Sequence, residues 1–389
     1  VEKVTGAAEY AGDIRLPEML YARILRPPAH GATLVGVDTS GAESMPGVTV
    51  VNQDGMVAAL APDPETAERA LSAMDAQWDE PAPAFDTETV FSHLVEVAPS
   101  PSTPEEEGDL AVGRQISAHS FEHQYYQGYV AHAPMEPHTA VAEVKDGKAT
   151  VWTSTQRPFG DQPAVARGLG FDPENVRILT PYVGGGFGGK ASGNQAVEAA
   201  RLSQMVGKPV QVAFTRAEEF FYDGFQPAST VKITSGMDES GRLTLWDYHV
   251  YGAGSRAAEV FYDTPHRRVA VYGEWGRPPE GMHPFAVGPW RAPGANTNRF
   301  AGAQQIDIMA AAAGMDPMEF RLMNTSDERM LGVLRTLRDA SGWESRPAPA
   351  GNLTGRGVAC GIDAETYVGL VAEVTVDDAT GEVRVDRVV

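Results

Sequence analysis

Apolar and polar positions alternate over several short stretches of the chain: 20–25, 47–51, 140–144, 149–153, 176–180, 210–215, 230–234, 243–251 and 370–376. A period of two puts one face of a pleated strand against a core, so each stretch predicts a strand. Between them, residues 64–74, 162–169, 194–206, 300–313 and 317–323 space their apolar positions as helices do. Two of these helices carry start signals. Asp63-Pro64 and Asp316-Pro317 each place a capping carboxylate before a proline at the first helical position. Strands and helices mix without a strict β-α-β rhythm, and no repeat or heptad recurs. The pattern predicts an α+β fold with mixed sheets. Residues 1–81 predict a small α/β domain and residues 82–109 a surface linker ending in VAPSPSTPEEEGD. Residues 110–389 predict a larger domain. The last stretch, 381–389, reads as a strand still in progress, so a further segment or a second chain is expected to continue the fold.

Composition narrows the function. The chain has 389 residues, 42% hydrophobic and 21% charged, which is globular rather than disordered. A formal net charge of −21 repels phosphate backbones and anionic membranes, so nucleic-acid partners are not expected. No run of about 18 apolar residues predicts a membrane span. The single cysteine, Cys360, cannot by itself form a disulfide, a cysteine zinc site or an iron–sulfur cluster. It is expected to pack as a small apolar residue. The acidic runs at Glu105–Glu107 and Asp377–Asp378 read as solvated loop charges.

The strongest local signal is PYVGGGFGGK at 181–190, in which five of ten residues are glycine. A predicted strand precedes it and a predicted helix follows. Such a loop lets backbone N–H groups approach an anion. Gly184 to Lys190 fits a P-loop, but Ala191 stands where Ser or Thr must hold magnesium. Gly184, Gly186 and Gly189 fit G-x-G-x-x-G, with Glu218 near the place of a ribose-binding acid. A tight turn without ligand is a third reading.

Other motifs stand around the loop: AHAPMEP at 131–137, TQRPF at 155–159, WRAPG at 290–294 and GMDPMEFRLMN at 314–324. In this order, with the glycine loop, they resemble the molybdopterin-binding portion of the xanthine oxidase/aldehyde oxidase family of molybdenum hydroxylases. The opening VTGAAEYAGDI and LYARILRPPAH are similar to that family's hammerhead domain, which would make 1–81 that domain and 110–389 the first half of the molybdopterin-binding domain. The resemblance implies a molybdenum–pterin cofactor, in plain or dinucleotide form, with few or no direct protein ligands to the metal. It implies that Gln156 hydrogen-bonds to a molybdenum-bound oxygen. It further implies that Gly185, Gly186, Phe187 and Gly188 approach the cofactor and that Arg291 offers it fixed donors. His132 and Glu136 are expected to be structural.

The chain departs from the family pattern at two places. Purine-oxidising members carry glutamate where Ala191 stands, and phenylalanine where Pro293 stands, so the expected small-molecule substrate is an aldehyde or another N-heterocycle. The family's general-base glutamate lies in a G-x-G-E motif that these 389 residues lack. No catalytic base is therefore expected within them. The resemblance implies partners: a second molybdopterin-domain half in this or another chain, a subunit with [2Fe–2S] clusters, and a flavin (FAD) or haem subunit. A cytoplasmic home is expected, with export of the folded protein as the alternative. Two rival functions stay open: a non-catalytic scaffold, and a nucleotide-binding oxidoreductase using residues 184–190.

Overall fold

The computed structural model describes residues 1–276, 278–345 and 353–389. The chain forms two compact units, each discontinuous in sequence. The first comprises Val1–Asp86, Tyr129–Gln226 and His283–Arg291; the second comprises Thr87–Gly128, Pro227–Met282 and Ala292–Val389.

The first unit is built on a mixed sheet of seven strands. From one edge to the other these are Val176–Leu179, Lys148–Thr153, Thr139–Lys145, Val210–Ala213, Leu20–Ile24, Met56–Ala61 and Thr49–Gln53. Leu20–Ile24 runs parallel to Val210–Ala213 and antiparallel to Met56–Ala61. Met56–Ala61 (MVAALA) is buried at every position, as a strand covered on both faces must be. Helices Pro158–Leu169 and Asn194–Val206 bury an apolar face with Val165, Ala196, Ala199, Ala200 and Leu202. The alanines recur at i, i+3 and i+4, which lets the helix approach closely. Asp63 caps helix Pro64–Ser72 by accepting from the Thr66 N–H at 2.8 Å.

The second unit holds a five-stranded sheet in the order Ser102–Glu107, Arg267–Tyr272, Leu243–Tyr251, Ser229–Met237 and His119–Gln127. It also holds a three-stranded antiparallel sheet of Thr354–Asp363, Thr366–Val376 and Val383–Val388. Helices Ala295–Ala312, Pro317–Met323 and Glu328–Ser341 pack into the same core, with Ile306, Met309, Phe320 and Leu334 fully buried. Cys360 lies buried in that core, its Sγ 3.4 Å from the Tyr262 hydroxyl. Among the described residues no helix is long and apolar enough to cross a membrane.

The α+β reading with mixed sheets matches this architecture. Two local expectations fail. The stretch read as a linker carries helix Val90–Glu96 and strand Ser102–Glu107. Glu105 and Glu107, read as solvated loop charges, lie on that edge strand, and both pair with Arg267 of the neighbouring strand. An edge position tolerates Pro104 because one side of an edge strand needs no ladder donor.

Leu60 is fully buried in the internal strand Met56–Ala61. Leu60→Ala is expected to cost about 2–5 kcal/mol, read as an earlier urea midpoint at unchanged slope. A cost below about 1 kcal/mol would contradict a close-packed core at this strand.

Candidate functional site

The glycine loop leaves the edge strand Val176–Leu179 and enters helix Asn194–Val206 through a short 3₁₀ turn at Gly189–Ala191. Its glycines are demanded by what surrounds them. A Cβ on Gly184 would meet Glu136 Cβ at 2.5 Å, and one on Gly186 would meet Gln156 Oε1 at 2.5 Å. A Cβ on Gly188 would collide with the Pro289 carbonyl, and one on Gly189 would lie 2.7 Å from the Asp223 carboxylate. Gly185 and Gly188 also have φ of 99° and 120°, which L side chains rarely adopt. Phe187 itself sits at φ 54°, a strained value for an aromatic residue, and is 47% exposed.

All six residues implied as cofactor contacts come together within the first unit. The Gly188 N–H donates to Gln156 Oε1 at 3.0 Å, and the Arg291 N–H donates to the Phe187 carbonyl at 2.8 Å. Gly185 lies against the Phe187 ring and Pro134. With Gln156 Oε1 held by Gly188, the Nε2 end of the exposed amide is left as the donor. The Arg291 guanidinium is exposed and makes no ion pair among the described residues.

Beneath the loop lie three close contacts between a basic and an acidic side chain. Lys190 Nζ donates to Glu136 Oε2 at 2.8 Å, and the Gly184 N–H donates to the same oxygen at 2.7 Å. His132 Nδ1 lies 2.5 Å from Asp223 Oδ2, and His138 Nδ1 lies 3.0 Å from Glu219 Oε1. Lys190, His132, Asp223, His138 and Glu219 are all buried. Burial pulls Lys190 below the ordinary lysine range against the attraction of Glu136. Burial also opposes ionisation of Glu219, but its hydrogen bond from His138 prevails and holds the carboxyl below the usual range.

This geometry opposes both nucleotide readings of the loop. Lys190, the phosphate ligand a P-loop would need, is fully buried on Glu136. The N-terminus of helix Asn194–Val206, where a phosphate would sit, faces the chain's own Asp161 carboxyl, against which Gly193 packs too closely for a Cβ. Burial holds Asp161 above the usual carboxylate range. What the loop leaves outward instead is an amide donor, an unpaired guanidinium and an aromatic ring. That donor set suits an oxygen-rich anionic group.

Residues 96–272 match the family model of the molybdopterin cofactor-binding domain. Over those residues the chain carries this domain, and it is similar to molybdenum-binding subunits of the xanthine oxidase/aldehyde oxidase family. It is 28% identical over 438 residues to a nicotinate dehydrogenase subunit of Pseudomonas putida, covering 100% of this chain and 36% of that protein. It is 28% identical over 424 residues to the β-subunit of isoquinoline 1-oxidoreductase from Brevundimonas diminuta, covering 99% of this chain and 53% of that one. Among solved structures, quinoline 2-oxidoreductase from Pseudomonas putida 86 has a TM-score of 0.78 at 20% identity, covering 99% of this chain and 60% of that one. The chain thus spans between about a third and about three fifths of these proteins.

The motifs pointed to Gln156, the loop and Arg291. They did not point to Asp223, Glu219 or the Pro289 carbonyl, which hold the loop from below. His132 and Glu136, expected to be structural, hold it from the 131–137 segment. Asp223 and Glu219 follow a capped helix start at Thr215, and nothing in their local spacing marks them as partners of histidines about 80–90 residues upstream.

Gly188→Ala is expected to displace the loop, because the Pro289 carbonyl occupies the Cβ position. Gly332→Ala, in helix Glu328–Ser341 with open space around it, should be neutral or stabilising by up to about 1 kcal/mol. Thermal unfolding of the two variants checks the contrast, and equal melting temperatures would contradict it.

Proposed function

We propose that this chain is the molybdopterin-binding part of a hydroxylase that oxidises an aldehyde or an N-heterocycle. The observation carrying this reading is Gln156. Its Oε1 is fixed by the Gly188 N–H while Nε2 stays free beside a loop with no room for a Cβ at Gly184, Gly186, Gly188 or Gly189. Such an amide donates to an anionic oxygen without adding charge. Gln156, the backbone of Gly185, Gly186 and Gly188, and Arg291 would hold the molybdenum–pterin group, in plain or dinucleotide form. When bound, that group supplies a two-electron oxidation with water as the oxygen source.

The chain's own residues bind, orient and exclude water. The Phe187 ring offers the substrate a flat apolar face. The Arg291 side chain, two residues beyond Pro289, adds fixed donors at the loop's outer side. Ala191 in place of a carboxylate leaves no acid to anchor a purine. The proton-abstracting glutamate is supplied from outside these residues, by a second molybdopterin-domain half.

The surface supports such a partner. On the three-stranded sheet of the second unit, Val368, Leu370, Val383, Val385 and Val388 are 41–60% exposed. Across from Leu370 and Val368 stand the small residues Ala359 and Gly361. An apolar face of this kind marks an interface. Electrons would leave through the pterin to [2Fe–2S] clusters on a partner chain, and then to a flavin or haem subunit, in the cytoplasm.

Steady-state kinetics on the holoenzyme test the reading with aromatic aldehydes and N-heterocycles as substrates. Gln156→Ala and Arg291→Met are each expected to lower kcat/KM by about 10- to 1000-fold while the fold is retained. Wild-type rates in both variants would overturn it.

A further inference from the structure

We propose that His132 is a positioning residue: as an imidazolium paired with Asp223, it ties the glycine loop to the segment that carries Arg291. His132 Nε2 lies 2.7 Å from the Pro289 carbonyl oxygen, and a carbonyl can only accept, so Nε2 carries a proton. Nδ1 lies 2.5 Å from a carboxylate oxygen of Asp223, and a contact that short needs a proton between the two atoms. The ring and its carboxylate together therefore hold one proton more than a neutral histidine beside an ionised aspartate. Both side chains are buried, at 0% and 1% exposure, so water cannot substitute for either bond.

Three segments meet at this ring. Pro289 presses its carbonyl into the space beside Gly188, and Gly189 packs against the Asp223 carboxylate and the His132 ring. Two residues after Pro289, the Arg291 N–H donates to the Phe187 carbonyl. The loop and the Arg291 segment are thus joined twice, once directly and once through His132. Asp223 is fixed in turn by accepting from the Gly224 N–H at 2.7 Å. His138 makes a parallel contact, its Nε2 lying 3.2 Å from the Gly189 carbonyl and its Nδ1 on Glu219.

The charged groups around His132 all favour its proton or are already paired. Asp223 and Glu219 face it from helix Arg216–Tyr222 and its end. On the loop side Lys190 is paired with Glu136, and His138 with Glu219. Burial disfavours the charged ring, but Asp223, the Pro289 carbonyl and Glu219 outweigh it, and His132 titrates above the ordinary histidine range. Because that shift is upward, the tie is complete below the ordinary histidine value. It is lost as pH rises through the raised value. A ring that has lost the proton keeps only one of its two bonds.

The test uses the holoenzyme with its partner chains, labelled with ¹⁵N-histidine. At pH 7, the ring resonance absent from the His132→Gln spectrum should show both nitrogens protonated. Hydrogen exchange over residues 184–191, corrected for intrinsic rates, should show protection lost at alkaline pH. In Asp223→Asn that loss should move down by about one pH unit or more. Should Asp223→Asn fail to fold, the wild-type ring at pH 7 decides the matter alone. A singly protonated His132 at pH 7 overturns the proposal, and so does an Asp223→Asn variant with the wild-type pH dependence. The positioning role rests on the cofactor-binding reading, but the protonation state does not. Absence of molybdenum with a doubly protonated ring would sink only that reading.

Discussion

Charge burial beneath a glycine-rich loop governs the first unit. Glu136, Asp223 and Glu219 lie where a lone carboxylate would be costly to ionise, and each has a buried basic side chain at 2.5–3.0 Å: Lys190, His132 and His138. Breaking a buried pair of this kind typically costs about 3–5 kcal/mol, because it strands the remaining charge. The pairs act as fixed posts. They grip the backbone of Gly184 directly, and of Gly189 through the His138 ring. The loop then has one path, and Cβ atoms fit nowhere along it between Gly186 and Gly189 except at Phe187.

That constraint explains the outward side. A loop held from below by charged groups need not use its upper donors for its own stability. The Gln156 Nε2 end and the Arg291 guanidinium remain available, and the aromatic ring of Phe187 is turned to the open side by its positive φ. Rigidity below and free donors above are what cofactor positioning requires, since donors that are already ordered lose little entropy on binding. The two nucleotide readings fail for the same reason: the lysine and the helix N-terminus they would use are occupied by carboxyls of the chain itself.

Much of this was legible in the sequence, and the parts that were not share a cause. Strand 243–251 and helices 194–206 and 317–323 have the predicted limits, because their periodicity and caps are local. Strand Ser102–Glu107 was hidden, since STPEEE has poor strand propensity and owes its place to Arg267 across the ladder. Helix Glu328–Ser341 went unread although Met330, Leu331, Leu334 and Leu337 keep helical spacing behind an Asp327 cap. At the site, the motifs mark the residues that face outward. Asp223, Glu219 and Pro289 act through contacts between segments far apart in the chain, and no local pattern encodes such a choice of partner.

The central claim is that the loop and Gln156 form a seat for a molybdenum–pterin group. It is tested most directly by elemental mass spectrometry of the natively isolated protein with whatever chains accompany it. About one molybdenum per copy of this chain is expected, one site being all that a single loop of this kind provides. A preparation that retains its partner chains and contains no molybdenum would contradict it.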